Sequence, residues 1–352
     1  MTRISLERGE LYFIGERDKR SGDRTPYVKI GLVGSTRTSE DRLLDHRTAN
    51  PRELVVHAIV PTPLVSWAEN TIHKQFGTQR IQGEWFVLDD AQLASAITEA
   101  RALAATLGPL EAGLAEAQRL RECESDGSVI AASEEVHGWL QDLRTAKARL
   151  DHCEELDAGY STVVRALVEA GEVGAEIAST KTIDIVEFDE AKFKENHPEL
   201  WERFVVEKDR GVRPLFRPAT RDLPTIDEVD PELAAFGRGF RERCTDAATD
   251  PGRIEVLKDA FLELEWRAKA ATLELRVATA RIQVACGTAE GIDGVCSWKR
   301  TRKVERVFDT EMFAAADPEL YSKFLVTRQI SRTTKNRKGH DNASTAQVEE
   351  EQ

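Results

Sequence analysis

The second half of the chain carries one pattern twice. FDEAKFKENHPELWERFVV begins at Phe188, and FDTEMFAAADPELYSKFLV begins at Phe308, an offset of 120 residues with no gap. The offset aligns Phe193 with Phe313, Pro198 with Pro318, Leu200 with Leu320, Trp201 with Tyr321 and Phe204 with Phe324. It also aligns Gly171 with Gly291 and Gly174 with Gly294. Each copy reads as a long helix, a glycine-containing turn, a strand ending in Phe-Asp, and a short Pro-Glu-Leu-aromatic helix. Two such copies specify an intrachain pseudo-symmetric pair or two modules in series.

The first half has a different pattern. Residues 10–14 (ELYFI) and 28–34 (VKIGLVG) read as strands, and the polar stretch GERDKRSGDRTP between them makes a hairpin with a long loop. Thr38 or Ser39 caps a helix to about residue 48, with Glu40 and Asp41 in its first turn. Residues 53–60 alternate as a strand, with Leu54, Val56, Ala58 and Val60 on one face. A helix over 64–76 has Pro63 at its start and Gly77 after its end, residues 84–88 form a short strand, and a helix covers about 90–107. Residues 91–175 are dominated by helical patterns rich in Ala, Leu and Glu, punctuated by the stretches GPLEAG (108–113) and ESDGS (124–128).

The fold class is therefore α+β. An N-terminal three-stranded antiparallel sheet flanked by helices is followed by a mainly helical, duplicated half. The expected divisions are a unit at 1–90, a helical connector at 91–130, copy 1 at 131–208, a proline-rich linker at 209–234 (Pro214, Pro218, Pro224, Pro231), copy 2 at 235–328 and a disordered tail at 329–352.

Charge narrows the partners. The chain carries a net −13, yet residues 1–90 hold 13 Lys/Arg and 13 Asp/Glu, so the whole excess lies beyond them. The overall field does not steer such a protein to nucleic acid, and any contact there comes from local basic patches. No apolar run is long enough for a membrane span. The five cysteines are scattered without a C-x-x-C pair, which fits a reducing, cytoplasmic setting and argues against a disulfide framework or a zinc site.

Candidate chemistry gathers near the N-terminus. Arg42 and His46 are four apart on one helix, as are Glu69 and His73 on the next, so each pair shares a face. Tyr12 comes from the first strand and Lys29 from the second. If these elements pack on one sheet, the set suits phosphodiester hydrolysis. The carboxylate holds a divalent metal, Mg²⁺ or Mn²⁺, the arginine offers a fork of donors to phosphate, and a phenol or imidazole serves as general base. Each residue also has a plain structural reading, as a solvated helix arginine, a satisfied helix histidine or a half-buried strand tyrosine.

Together these residues resemble a GIY-YIG domain over about residues 8–90, in particular the phage-associated branch whose second motif reads KIG. The first motif is Glu10-Leu11-Tyr12, with the tyrosine kept; the second is Lys29-Ile30-Gly31; Arg42, His46, Glu69, His73, Phe76, Arg80 and Gly83-Glu84-Trp85-Phe86 come after them in order. The resemblance implies a DNA endonuclease in which Glu69 binds the metal, Arg42 stabilises charge on the phosphate, and Tyr12 activates or orients water with His46 close by. His73 and Arg80 are the expected substrate contacts. Glu10 in place of the glycine and Lys29 in place of the tyrosine depart from the pattern, and leave open a non-cleaving DNA-binding protein.

Residues 287–324 resemble the segment after the catalytic domain in YqaJ-type phage recombination exonucleases, where a glycine-rich turn leads to Trp-Lys and then to a Pro-Glu-Leu-Tyr helix. In copy 1, Ala178 and Ser179 stand at the Trp298 and Lys299 positions. The run WKRTRKVER (298–306) holds five Lys/Arg against one Glu, so Trp298, Lys299 and Arg300 are candidate DNA contacts, with the tryptophan stacking on a base. The plain reading is a strand edge kept soluble by charge. The long helices at 131–170 and 252–286 pair with each other, or across a homodimer or with a protein partner. A phage, prophage or phage-host setting is what both resemblances imply. An interaction scaffold is the remaining alternative.

Overall fold

The computed structural model describes residues 7–47, 52–172 and 178–335. β1 (Gly9–Arg17) and β2 (Arg24–Gly34) form an antiparallel hairpin, and β3 (Glu53–Thr62) pairs with the other edge of β1. Between them α1 (Ser39–Arg47) starts at Thr38, whose hydroxyl accepts from the Asp41 amide while the Asp41 carboxylate accepts from Thr38. Then come α2 (Val65–Gln75), the short strands β4 (Arg80–Gln82) and β5 (Trp85–Val87), and α3 (Asp90–Arg121). The sheet order is β3-β1-β2-β5-β4. The three long strands form the centre, as expected, and the β5-β4 ribbon widens it to five. The hairpin loop is shorter than expected, because both strands run on toward it.

Alternation along β1 splits its side chains between two layers. Leu11 and Phe13 meet Ile72 and Phe76 beneath α2, and Leu93, Ala96 and Ala100 of α3. Tyr12 and Ile14 meet Leu43 of α1 on the other face. The first turns of α3 thus belong to the core of this unit, past the boundary expected at 90. Asp89 and Gln92 cap α3 reciprocally, and the helix runs on through Pro109. A proline costs the helix a hydrogen bond, but Leu107, Leu114 and Ala117 keep one continuous face buried against Leu64, Ala68 and Leu273. The break expected at 108–113 therefore does not occur.

Past the turn at 124–128 lie β6 (Val129–Ile130) and α4 (Glu134–Glu169), the latter capped by Ser133. The chain continues through β7 (Ala178–Phe188), α5 (Glu190–Asn196), α6 (Pro198–Arg203), β8 (Val205–Pro218), α7 (Ile226–Val229), α8 (Pro231–Thr249) and α9 (Ile254–Cys286). It closes with β9 (Gly291–Ile292), β10 (Cys296–Phe308), α10 (Thr310–Ala316), α11 (Pro318–Ser322) and β11 (Leu325–Lys335). The two long helices pair with each other. The C-terminal half of α4 packs on the start of α9 around Tyr160, Phe240 and Phe261, and its start packs on the end of α9. They are therefore antiparallel. Among the described residues, no helix is long and apolar enough to cross a membrane.

The two Phe-Asp segments adopt one element order, strand–helix–helix–strand, and exchange strands. β7 pairs with β11, and β8 pairs with β10. Phe188 lies opposite Leu325, and Phe308 opposite Val205. The Asp189 amide donates to the Phe324 carbonyl at 2.8 Å, and the Asp309 amide donates to Phe204 at 2.9 Å. Asp189 and Asp309 each cap the next helix, which explains the Phe-Asp text. One aromatic core serves both segments, with Phe188 and Phe308 stacked at 5.7 Å and Phe193 and Phe313 tilted against each other at 4.5 Å.

The proline-rich stretch expected as a linker is structured. Pro214 and Pro218 lie in β8, where β10 covers one edge only, and a proline is tolerated on an open edge. Pro231 opens α8. The stretch expected as a disordered tail begins inside β11, and residues 336–352 lie outside the described residues.

Candidate active site

The KIG tripeptide is the point where Tyr12, Lys29 and His73 come together, and Glu84 touches all three of its residues. Gly31 faces Tyr12 across the β1–β2 ladder. A Cβ on Gly31 would lie 2.4 Å from the Tyr12 hydroxyl and 2.9 Å from a Glu84 carboxylate oxygen. Only glycine leaves room for that approach. Lys29, on the same face, forms an ion pair with Glu84, and its side chain is 13% exposed. Ile30 has its carbonyl 2.7 Å from His73 Nε2, and its amide donates to the Glu84 carbonyl at 3.0 Å. A carbonyl only accepts, so His73 Nε2 carries the proton.

Arg80 reinforces the same corner. Its Nε donates to the Gly83 carbonyl, and its guanidinium lies 5.7 Å from the centre of the Phe86 ring. It thereby fixes the turn that carries Glu84. His73 packs against Phe86 from α2, with ring centres 5.2 Å apart.

One helical turn from His73, Glu69 is half-buried and lines a cleft of about 350 Å³. His73 and Arg80 line it too, so three of the candidate residues share one space. The opposite wall is α9, which contributes Glu263, Trp266 and Lys269. Lys74 ties the walls together. Its ammonium lies 3.3 Å from the centre of the Trp266 ring and 2.9 Å from a Glu263 oxygen. Trp67 stacks on Trp266 at 6.4 Å, and Lys269 donates to Asn70 at 3.4 Å.

The other candidates separate from this cleft. Tyr12 is 1% exposed, sealed under α1 with Leu43, Val33 and Leu54. Arg42 is half-buried on α1. His46 is on the same helix, with its side chain outside the described residues.

The contacts expected at Trp298 and Arg300 are overturned. Trp298 is 0% and Arg300 1% exposed. Strand alternation turns both inward, where Trp298 joins Leu140, Ile282 and Val295. The Arg300 guanidinium stacks on the Trp298 ring at 3.9 Å and donates to the carbonyls of Leu120, Gly287 and Ala289 at 3.1, 2.8 and 3.0 Å. Neither side chain can reach a base. Lys299 faces outward and pairs with Glu290 at 2.7 Å.

Two features escape a reading of the sequence. Glu84, the partner of Lys29, lies 55 residues away, and only its place in the GEWF motif marks it. The α9 wall lies about 190 residues from α2, and no local pattern joins them.

Among the described residues, no group of three or more His, Cys, Asp or Glu is arranged to hold a metal ion. A hard divalent cation that keeps most of its waters needs only one or two protein carboxylates. Glu69, in a cleft that also carries Asp259 and Glu265, fits that requirement.

Residues 9–101 match the T5orf172 domain, a phage-associated nuclease-like domain. No curated protein and no solved structure matches the chain.

Proposed function

We propose that the chain is a metal-dependent DNA endonuclease of the GIY-YIG type, acting through the unit at residues 9–101 in a phage, prophage or phage-defence setting. The observation that carries this reading is the convergence on Lys29-Ile30-Gly31. Tyr12 packs on Gly31, His73 bonds to Ile30 and Glu84 touches all three residues of that tripeptide, and His73 lies one helical turn from Glu69 at the cleft. Residues chosen by spacing alone would have no reason to meet there. The T5orf172 match over the same residues supports it. The YqaJ-like likeness of residues 287–324 fits the same setting.

Glu69 would hold Mg²⁺ or Mn²⁺, which when bound supplies Lewis-acid polarisation of the scissile phosphate. Arg42 offers a planar fork to the phosphate oxygens. His73, with Nε2 committed to Ile30, holds β2 against α2 and so positions Glu69 relative to the motif. Arg80 fixes the Glu84 turn. The assignment of Tyr12 to the attacking water rests on the motif resemblance, because its hydroxyl lies against Gly31 beneath α1, apart from the Glu69 cleft.

The burial of Tyr12 and the Lys29–Glu84 pair favour a second reading, a DNA-binding protein that uses this fold without cutting. One experiment separates the two. Purified protein is incubated with supercoiled plasmid and single-stranded DNA, with Mg²⁺ or Mn²⁺ and then with chelator, beside Glu69→Ala. Metal-dependent cutting lost in the variant supports the enzyme. A salt-sensitive gel shift without cutting replaces it with the second reading.

A further inference from the structure

The β strands of the exchanged segments carry a charge opposite to that of the chain. β7, β8, β10 and β11 together hold 13 Lys/Arg against five Asp/Glu, a net +8 in a chain of net −13. A polyanion repelled by the whole would be met locally by these strands.

The register shows which side of the β8–β10 ribbon is available. Arg213 lies opposite Thr301, Leu215 opposite Lys299 and Arg217 opposite Ser297. Residues opposite each other share a face. The other face holds Phe216, Trp298 and Arg300, packed against the helices. Arg213, Arg217 and Lys299 therefore share the outer face, where all three are exposed. Lys299 is paired with Glu290, whereas no ion pair joins Arg213 or Arg217 to an acidic residue among the described residues. Leu215, 47% exposed, separates the two arginines.

We propose that this outer face of the β8–β10 ribbon holds the backbone of duplex DNA, with Arg213 and Arg217 as phosphate contacts. The proposal rests on the reading of residues 9–101 as a DNA-acting unit. Guanidinium groups suit phosphate, and the outer face of the β8–β10 pair leaves both arginines open to a backbone laid across it. Sequence-tolerant single-strand binding stacks bases on aromatic rings. Phe216, Trp298 and Phe308, the aromatic residues of this ribbon, are packed into cores, so the outer face offers no such platform and the duplex is its substrate.

The test uses the full chain carrying Glu69→Ala, so that cutting cannot disturb binding. Fluorescence anisotropy is followed with a labelled duplex of about 30 base pairs and with the matching single strand, over a series of KCl concentrations. Arg213→Glu/Arg217→Glu is expected to weaken duplex binding about tenfold or more and to lower the salt slope by about two, one per phosphate contact. Arg165→Glu/Arg243→Glu, which makes the same change in charge on exposed sites of α4 and α8, is expected to change affinity less than about threefold. Arg213→Gln/Arg217→Gln is the milder variant should the double reversal not fold. Unchanged duplex binding in the ribbon variants, an equal loss in the control, stronger binding of the single strand, or no duplex binding by the parent would each overturn the proposal. Cleavage by the unaltered chain is scored separately. Intact metal-dependent cutting with no ribbon effect removes this surface alone, and a ribbon effect without cutting removes the endonuclease reading alone.

Discussion

The hydroxyl of Tyr12 and the α-carbon of Gly31 sit so close across the β1–β2 ladder that a methyl group on Gly31 would lie 2.4 Å from the oxygen. The glycine of the KIG motif is thus a space requirement set by the tyrosine of the first motif. Gly31→Ala is expected to destabilise the fold by about 2 kcal/mol through overpacking. Urea unfolding checks this, and Tyr12→Phe/Gly31→Ala should recover part of the loss because the crowded oxygen is gone. Equal stabilities for the two variants would show that the contact is relaxed elsewhere.

Lys29 and Glu84 form a largely buried pair, so removing one partner leaves the other charge poorly solvated. Lys29→Met is expected to cost more than Lys29→Met/Glu84→Gln. A double-mutant cycle should give a coupling of about 1 kcal/mol. Additive losses would mean that the two charges do not depend on each other.

Arg300 donates to three backbone carbonyls from a site closed to water. Arg300→Ala should cost about 3 kcal/mol or more. Arg300→Lys should rescue little, because an ammonium cannot reproduce the planar fork. Thermal unfolding measures both. The salt slope of DNA binding should be the same in folded Arg300→Lys and in the parent, since the side chain does not face solvent.

Two histidines are packed into glycine-lined recesses, His57 against Gly15 and His152 against Gly237. Burial, followed by the charges of Arg24 for His57 and Arg241 for His152, pushes both below the ordinary histidine pKa. The folded state therefore prefers neutral rings, and the unfolded chain takes up protons first. Their contribution is fully present above about pH 6.5 and is lost as pH falls below it. The melting temperature should drop between about pH 7.5 and 5, and His57→Gln/His152→Gln should flatten that drop. An unchanged slope in the double variant would remove these residues as its source.

Much of the N-terminal unit is legible in the sequence because its signals are local. Alternation marks β1, β2 and β3, and a Pro63–Gly77 frame marks α2. The pairing of Glu69 with His73 on one helix face carries through to the cleft. The features that do not show depend on distant neighbours. The charged run at 298–306 reads as a solvated edge, yet Trp298 and Arg300 at its start turn inward onto a core formed by α3, α4 and α9. Pro109 reads as a break until the apolar face on either side of it has something to pack on. The α9 wall depends on how the antiparallel helices place Trp266 beside Lys74, which no window of sequence contains.

The exchange of strands between the two Phe-Asp segments also has a consequence in time. Phe188 must wait for Leu325, and Val205 for Phe308, so a ribosome has to deliver more than a hundred further residues before either ribbon can close. At ordinary rates of synthesis that interval is on the order of ten seconds. Throughout it, β7 and β8 present edges with no partner from their own chain. The first segment is thus a half-made clasp on every nascent chain.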